Sequence, residues 1–174
     1  MLSWIDRGWL SAHRTPGGHR RVEKSALVEF LHQRKMPVPP TLTGVRRLLI
    51  IDDDPTLLRS TERLLKLRAP ELTLLGADGA VDGLLRIGTF RPDAVLLDAY
   101  MPGMNGIEVC RRIRTSPETA HILVVAITAY PSAHLASALI EAGAAACLPK
   151  PLDPKALLQA LGIDGPRQQS VNTE

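Results

Sequence analysis

Residues 48–58, LLIIDDDPTLL, decide the fold, because four apolar residues run directly into three aspartates and a proline. A short apolar run bounded by turn residues is typical of a strand that is buried on both faces. Neighbouring carboxylates repel one another by about 1 kcal/mol or more per pair near a protein surface. Two unrelated chemistries would explain three acids at a strand end. One is a magnesium-dependent site in which a different aspartate accepts a phosphoryl group. The other is a phosphatase whose nucleophile is Asp52.

The rest of the chain repeats the alternation of short apolar runs with helical segments. The predicted strands are residues 48–51, 72–77, 94–97, 122–127 and 145–148. The predicted helices are residues 56–68, 79–88, 106–115, 132–142 and 154–161, with Ser132 and Asp153 at helix-capping positions. This order predicts an α/β fold with a doubly wound, five-stranded parallel sheet and helices on both faces.

Charge divides the chain into two parts. Residues 1–35 carry seven basic and three acidic side chains, whereas residues 36–174 carry 14 basic and 15 acidic ones. Between the parts, residues 36–44 read MPVPPTLTG, and prolines favour an extended, semi-rigid linker. We therefore expect a basic element over residues 1–35, a linker over 36–44, the main domain over 45–163 and a flexible tail over 164–174.

Neither membrane nor metal–cysteine chemistry is indicated by the sequence. No run approaches about 18 consecutive apolar residues and no signal-peptide pattern opens the chain, so we expect a cytoplasmic protein without membrane contact. Cys110 and Cys147 lack partners at ligand spacing, so we expect two buried thiols that form neither a metal site nor a disulfide.

Polar residues follow four of the five predicted strands. Asp52 and Asp53 follow the first strand, Asp98 the third, Thr128 the fourth and Lys150 the fifth. Open α/β sheets build their sites at the carboxyl ends of strands, so this set predicts one convergent pocket. Mg²⁺ would relieve the repulsion among the acids, and a lysine would hold phosphate oxygens while an aspartate attacks phosphorus.

Four segments resemble the receiver domain of two-component response regulators over about residues 45–163. They are LLIIDDDP (48–55), PDAVLLDAYMPGMNG (92–106), VVAITA (124–129) and AGAAACLPKP (142–151). The resemblance implies a flavodoxin-like sheet of strand order 2-1-3-4-5 and Mg²⁺ as the cofactor. It also implies that Asp98 is the phosphoacceptor and a metal ligand, that Asp53 binds the metal directly, and that Asp52 acts largely through water.

The same resemblance assigns the remaining site residues. It implies that the backbone carbonyl of Tyr100 is the third protein ligand of the metal, that Thr128 is the switch hydroxyl, and that Lys150 binds the phosphoryl group. It further implies a cis peptide bond between Lys150 and Pro151, whereas Asp54 is interpreted as a loop or helix-start acid.

The resemblance also implies partners and an activity. A sensor histidine kinase or a phosphotransfer protein would supply the phosphoryl group, and the protein would form a homodimer. We expect no enzyme activity beyond self-phosphorylation and autodephosphorylation, and a transcriptional output. The alternative is a stand-alone receiver or phosphate sink that acts through protein contacts.

A phosphatase of the haloacid-dehalogenase-like family is a remote alternative, because Asp52 begins an Asp-x-Asp-x-Thr pattern. The strand-end hydroxyl and the lysine fit the order of that family. That family needs a further acidic pair on a later strand, and the aspartates after Lys150 are Asp153 and Asp164, with no predicted strand between them. The phosphatase interpretation also gives Asp98 no role.

The basic front resembles the winged helix-turn-helix domains of the MerR/excisionase type. The similarity lies in residues 4–22, WIDRGWLSAHRTPGGHRRV, followed by an amphipathic segment over residues 24–35. It implies a recognition helix that ends near Gly8 and a basic wing that turns at residues 16–18. The candidate nucleic-acid contacts are Arg7, Arg14, His19, Arg20 and Arg21.

The front differs from that family because Met1 falls inside what would be an earlier helix. A piece of 35 residues is below the size that usually folds alone. We therefore expect it to be partly ordered, or ordered by docking, and to bind DNA weakly. The other interpretation is a solvated basic hairpin without a ligand.

Three side chains near the predicted pocket bear on the output and the lifetime of the phosphorylated state. Cys147 occupies a position where receivers usually carry an aromatic residue, which swings inward when the switch hydroxyl moves. Cysteine is too small to report that movement by rotating, so we expect this coupling to be weakened or rerouted. Tyr100 and Tyr130 each come two residues after a site residue, at positions that in the family flank the path of the hydrolytic water. We expect the two rings either to slow hydrolysis of the phosphorylated state or merely to cover apolar surface.

Overall fold

The computed structural model describes residues 4–5, 7–10, 12–14, 20–34, 36, 38, 42 and 44–163. Its strands are β1 (His13–Arg14), β2 (Arg20–Arg21), β3 (Arg47–Asp52), β4 (Thr73–Asp78), β5 (Ala94–Asp98), β6 (Leu123–Thr128) and β7 (Ala146–Pro149). Its helices are α1 (Lys24–Gln33), α2 (Pro55–Arg68), α3 (Gly79–Phe90), α4 (Gly106–Thr115), α5 (Ala133–Glu141) and α6 (Pro154–Ala160).

Strands β3 to β7 form a parallel sheet in the order β4-β3-β5-β6-β7, which is the predicted order 2-1-3-4-5. In the register of the three central strands, Leu49 pairs with Val95 and Val95 with Val124. The predicted fold class is thereby confirmed. At their carboxyl ends, strands β3 to β6 each extend one residue further than predicted, because their polar last residues still pair with a neighbouring strand.

The sheet is buried on both faces, as its continuous apolar strands require. Successive side chains of a strand point to opposite faces, so Leu49 and Ile51 pack with α3, α4 and α5, whereas Leu48 and Ile50 pack with α2 and α6. Each of these four side chains is at most 1% exposed. The sheet is therefore the buried central layer of the domain, with helices packed on both faces.

Capping side chains set where the helices begin, and hence the lengths of the loops at the carboxyl edge. Ser132 Oγ accepts a hydrogen bond from the backbone N–H of Leu135, and Asp153 Oδ2 accepts one from the N–H of Ala156. Both predicted caps are confirmed. Asp54 caps α2 in the same way, accepting from the N–H of Thr56 at 2.7 Å, so this acid is a helix-start residue as interpreted.

The amino-terminal element has an apolar cluster of its own. Strands β1 and β2 pair antiparallel, with His13 opposite Arg21. Phe30 and Leu31 of α1 are buried with Leu10, and Val38 and Leu42 of the predicted linker are among the residues packed against them. The predicted wing turn with His19 and the predicted tail over residues 164–174 lie outside the described residues. The domain boundaries stay predictions.

None of the helices in the described part of the chain combines the length and apolar character needed to cross a bilayer.

Candidate functional site

The polar residues predicted to converge do lie together at the carboxyl edge of the sheet. Asp52, Asp98 and Thr128 are the last residues of three strands, β3, β5 and β6, that are neighbours in the sheet. Lys150 follows β7 directly, and its backbone N–H donates to the carbonyl of Thr128 at 2.7 Å. Four strands thus each deliver one polar side chain to the same place.

Three carboxylates form the centre of the site. Asp52, Asp53 and Asp98 each offer one carboxylate oxygen, and these oxygens all lie within 4.8 Å of one another. Asp52 and Asp98 are buried, whereas Asp53 is exposed. Hard oxygen donors with this separation suit Mg²⁺, which binds through one or two carboxylates and keeps several waters. The described geometry therefore fits the predicted ion, while the role of the Tyr100 carbonyl stays a prediction.

Lys150 bridges the two buried carboxylates. Its Nζ donates to Asp52 Oδ2 at 2.7 Å and to Asp98 Oδ2 at 2.9 Å, and its side chain is 10% exposed. Burial by itself lowers the pKa of Lys150, but the two carboxylates outweigh it and hold the pKa above its ordinary value. The amine is therefore charged near neutral pH. The Lys150–Pro151 peptide bond is cis, as predicted.

Asp98 sits in a tight backbone environment. Its Oδ1 accepts a hydrogen bond from the backbone N–H of Tyr100 at 3.2 Å. A Cβ atom placed on Gly106 would lie 2.7 Å from the Asp98 carbonyl oxygen, so only glycine fits where the following turn returns to the strand. Burial raises the pKa of the Asp98 carboxyl, and this exceeds the opposing effects of Lys150 and the Tyr100 N–H.

Two hydrogen bonds in the site had no signal in the sequence. The backbone N–H of Asp54 donates to Asp52 Oδ1 at 2.9 Å, so the turn that starts α2 also orients the buried acid. Thr128 Oγ1 accepts from the backbone N–H of Tyr130 at 3.1 Å. The Thr128 hydroxyl is fully buried, and this bond fixes the oxygen next to the loop that follows β6.

The rim of the site carries two aromatic rings. Tyr100 is 52% and Tyr130 is 73% exposed, and their ring centroids lie 6.0 Å apart in an edge-to-face arrangement. Beside them, Cys147 and Thr128 line a groove of about 330 Å³ together with Pro131, Ser132, Ala133, Ala136 and Pro149. Open space therefore adjoins the buried hydroxyl on the side where Cys147 presents only a small side chain.

A second groove opens on the other side of the site. It has a volume of about 190 Å³, lies between α2 and the loop after β7, and is lined by Asp52, Leu57, Leu64, Lys150 and Leu152 among others. The sequence reasoning did not predict it. In the structure Leu57 and Leu64 of α2 are only partly buried, which leaves apolar surface next to a charged centre.

The nucleic-acid candidates are described only in part. Arg7, Arg20 and Arg21 are exposed, whereas the side chain of Arg14 and the whole of His19 lie outside the described residues.

The sheet order and the set of acids, hydroxyl and lysine at its carboxyl edge define a flavodoxin-like receiver fold. Residues 48–162 match the family described as "Response regulator receiver domain". The chain belongs to this family.

Individual relatives agree with that membership. Response regulator MprA from Mycobacterium sp. (strain KMS) is 39% identical over 112 residues, which is 64% of this chain and 47% of the relative. The chain thus spans about half the length of the curated relatives it matches.

One similar solved structure comes from Colwellia psychrerythraea 34H and is 32% identical, with a TM-score of 0.62. It is the signal receiver domain of a DNA binding response regulator protein (merR). The match covers 66% of this chain and 96% of that one. A receiver domain protein from Methanospirillum hungatei JF-1 is 28% identical with a TM-score of 0.60, over 67% of this chain and 90% of the other.

Proposed function

We propose that this chain is a phosphorylation-dependent response regulator, in which Asp98 accepts a phosphoryl group in a Mg²⁺-dependent reaction and thereby controls a transcriptional output. The observation that carries the proposal is the bridge from Lys150 Nζ to Asp52 and Asp98 inside the cluster of three carboxylates. The proposal includes a cytoplasmic homodimer without membrane contact, and no enzyme activity on an external substrate.

The phosphoryl donor is a phosphohistidine on a sensor histidine kinase or a phosphotransfer protein. A carboxylate oxygen of Asp98 attacks phosphorus, the new P–O bond forms as the P–N bond breaks, and the leaving imidazole nitrogen keeps the electron pair. Lys150, 2.9 Å from Asp98 Oδ2, is placed to bind an oxygen of the transferred group. The apolar groove at Leu57, Leu64 and Leu152 is the nearest surface on which a donor helix would dock.

Asp53, Asp98 and the carbonyl of Tyr100 would hold the metal, with Asp52 acting largely through water. When bound, Mg²⁺ supplies positive charge that offsets the carboxylates and the phosphoryl oxygens. The residues of the chain supply the rest: Asp54 orients Asp52 through its N–H, and burial of Asp98 excludes bulk water from the nucleophile.

Thr128 carries the signal away from the phosphoryl group. Its hydroxyl, now bonded to the N–H of Tyr130, would turn toward a phosphoryl oxygen on Asp98, the neighbouring strand end. The groove beside Thr128 at Cys147 gives the loop after β6 room to follow this movement. The movement of Thr128 is then passed to the loop after β6 without the aromatic ring that receivers usually carry at the position of Cys147.

The transcriptional part of the proposal rests on the basic front. Exposed Arg7, Arg20 and Arg21 supply positive charge, and the similar Colwellia receiver domain is described as part of a DNA binding response regulator. A stand-alone receiver or phosphate sink is the alternative, and it predicts no DNA binding at any salt concentration.

The test is phosphorylation by a small phosphodonor such as acetyl phosphate, followed by intact-protein mass spectrometry. Wild type should gain one phosphoryl group with Mg²⁺ and none with EDTA, and Asp98→Asn should gain none. Asp82→Asn is the matched control, because Asp82 is a partly exposed acid that pairs with Arg86. Labelling of Asp98→Asn that is lost in Asp52→Asn would contradict the proposal and favour the phosphatase alternative.

A further inference from the structure

The two tyrosines of the chain are each tied through the backbone to a side chain that the proposed reaction changes. The N–H of Tyr100 donates to Asp98 Oδ1 at 3.2 Å, and the N–H of Tyr130 donates to Thr128 Oγ1 at 3.1 Å. The two rings meet edge to face on the rim of the site, with their planes inclined at 80°. This contact therefore joins the loop after the phosphoacceptor to the loop after the switch hydroxyl.

Tyr100 stands on a loop that is held from two sides. Its neighbours Ala99 and Met101 are both buried. The N–H of Ala99 donates to the carbonyl of Ile127 at 2.9 Å, and the Ala99 carbonyl accepts the N–H of Gly106 at 3.0 Å. The backbone at Tyr100 cannot shift far without breaking these contacts with β6 and the start of α4, so Tyr100 is the stationary member of the pair.

Tyr130 stands on a loop that has room to move. Its neighbours Ala129 and Pro131 are exposed, and Tyr130 is the more exposed of the two tyrosines. The groove of about 330 Å³ opens beside this loop, and its lining includes Thr128 and Cys147. A turn of the Thr128 hydroxyl toward a phosphoryl oxygen would move it away from the groove, and this would enlarge the space beside Tyr130.

We propose that Tyr130 is the moving output residue of the switch, and that its contact with Tyr100 stabilises the unphosphorylated conformation. The inference rests on the proposed phosphorylation of Asp98. When the Thr128 hydroxyl turns, its bond to the Tyr130 N–H draws the loop toward the phosphoryl group and presses the Tyr130 ring against the stationary Tyr100. The ring relieves this crowding by rotating about its Cα–Cβ bond into the groove at Cys147.

Two effects of opposite sign act on the Tyr130 ring. The edge-to-face contact with Tyr100 opposes the movement, but it shifts a conformational equilibrium by only about twofold to tenfold. Transfer of an exposed ring from water into the groove favours the movement. The groove can accept the ring because Cys147 and Ala136 are small lining residues. The contact is therefore weak enough to be broken when Asp98 is phosphorylated.

The experiment follows both rings by ¹⁹F NMR of the full chain labelled with 3-fluorotyrosine. The chain has two tyrosines, so two protein resonances are expected, and Tyr100→Phe and Tyr130→Phe assign them. The probe is beryllium fluoride with Mg²⁺, because beryllofluoride on an aspartate mimics the phosphoryl group. The fluorine signal of the bound probe reports occupancy in the same spectrum. On occupancy, the Tyr130 resonance should lose most of its H₂O/D₂O solvent isotope shift, whereas the Tyr100 resonance should keep its own.

Variants that fill the groove separate the movement of the ring from a direct effect of the probe. Ala136→Leu and Cys147→Leu fill it from two different elements, α5 and β7, so the test survives if one variant fails to fold. In both, Tyr130 should keep its solvent isotope shift although the probe is bound. Ser137→Leu is the matched control, because Ser137 is exposed on α5 and lies outside the described lining of the groove. It should behave like wild type.

Tyr100→Leu removes the ring contact and keeps the backbone carbonyl of residue 100. The unphosphorylated conformation should lose its stabilisation, so the beryllium fluoride concentration for half occupancy should fall about twofold to tenfold. An unchanged or higher concentration would show that the contact with Tyr100 does not hold that conformation.

The outcomes distinguish this inference from the proposed function. Bound probe with an unchanged solvent isotope shift at Tyr130 would overturn the inference and leave the phosphorylation of Asp98 standing. An equal loss of that shift in wild type, Ala136→Leu and Cys147→Leu would overturn it as well, because the ring would then move somewhere other than the groove. Failure both to bind the probe and to gain a phosphoryl group from acetyl phosphate would reject the proposed phosphorylation itself.

Discussion

Replacing Lys150 by methionine tests the electrostatic centre of the site, because methionine keeps most of the length of the side chain, one atom shorter, and removes its charge. Each contact of Lys150 Nζ, at 2.7 and 2.9 Å, has a Coulomb energy of about 6 kcal/mol at an effective dielectric constant of about 20. The desolvation of the ions offsets much of this energy. Asp52 and Asp98 are only 1% and 7% exposed, so without the lysine they would face each other without a counter-ion.

We therefore expect Lys150→Met to lower the free energy of unfolding by about 3–5 kcal/mol in EDTA. Excess Mg²⁺ should restore part of this loss, because a second cation then neutralises the same carboxylates. The assay is urea denaturation followed by circular dichroism at neutral pH. Arg112→Met is the control: its ion pair with Glu108 is exposed, so the change should stay within about 0.5 kcal/mol. A Lys150→Met variant as stable as wild type in EDTA would refute the reasoning.

The remaining predictions concern the rim, the thiols and a helix cap. Tyr100→Asn combined with Tyr130→Ser should speed loss of the phosphoryl group. The rate should rise tenfold if the two rings raise the barrier to attack by water by about 1.4 kcal/mol. An unchanged rate of phosphate release would mean that the rings only cover surface. Iodoacetamide at about pH 8 should alkylate Cys147 before Cys110 in the folded protein, because burial raises the pKa of Cys110 to about 11. Peptide mass mapping that finds both cysteines labelled equally would contradict this. Ser132→Ala should destabilise the protein by about 1 kcal/mol in urea titrations, since Ser132 Oγ accepts from a first-turn N–H of α5 at 3.1 Å, whereas Ser132→Asp should retain most of the stability.

The sheet and the site could be predicted to different depths. The doubly wound sheet and its burial followed from the apolar runs, while the strand order came from the resemblance to receiver domains. Asp52, Asp98 and Thr128 could be placed together because the ends of parallel strands share one edge. The bridge from Lys150 to both acids could not be foreseen, because it depends on the path of the loop after β7, which no periodicity encodes. The sequence indicates a loop or helix-start acid at Asp54, but the hydrogen bond from its N–H to Asp52 appears only in the structure.

The amino-terminal element shows the opposite limit. A resemblance suggested a basic wing, and the short pairing of β1 with β2 agrees with a hairpin there. The stacking of Arg34 on Trp9 joins residues that are far apart in the sequence, so composition alone gave only a net positive charge. Val38 was assigned to a linker because prolines flank it, yet it packs against the cluster around Phe30, since an extended segment can still bury one apolar side chain.

The bridge between Lys150, Asp52 and Asp98 has a consequence for how this protein tolerates mutation. Two carboxylates share one amine here, so loss of Lys150 leaves two buried acids facing each other, whereas loss of Asp98 leaves Lys150 paired with Asp52. Neutralising Asp98 as well as Lys150 removes a buried repulsion, so the double change costs less stability than the two separate losses together. The site is thus an epistatic unit, in which the cost of losing Lys150 depends on whether both carboxylates are still present.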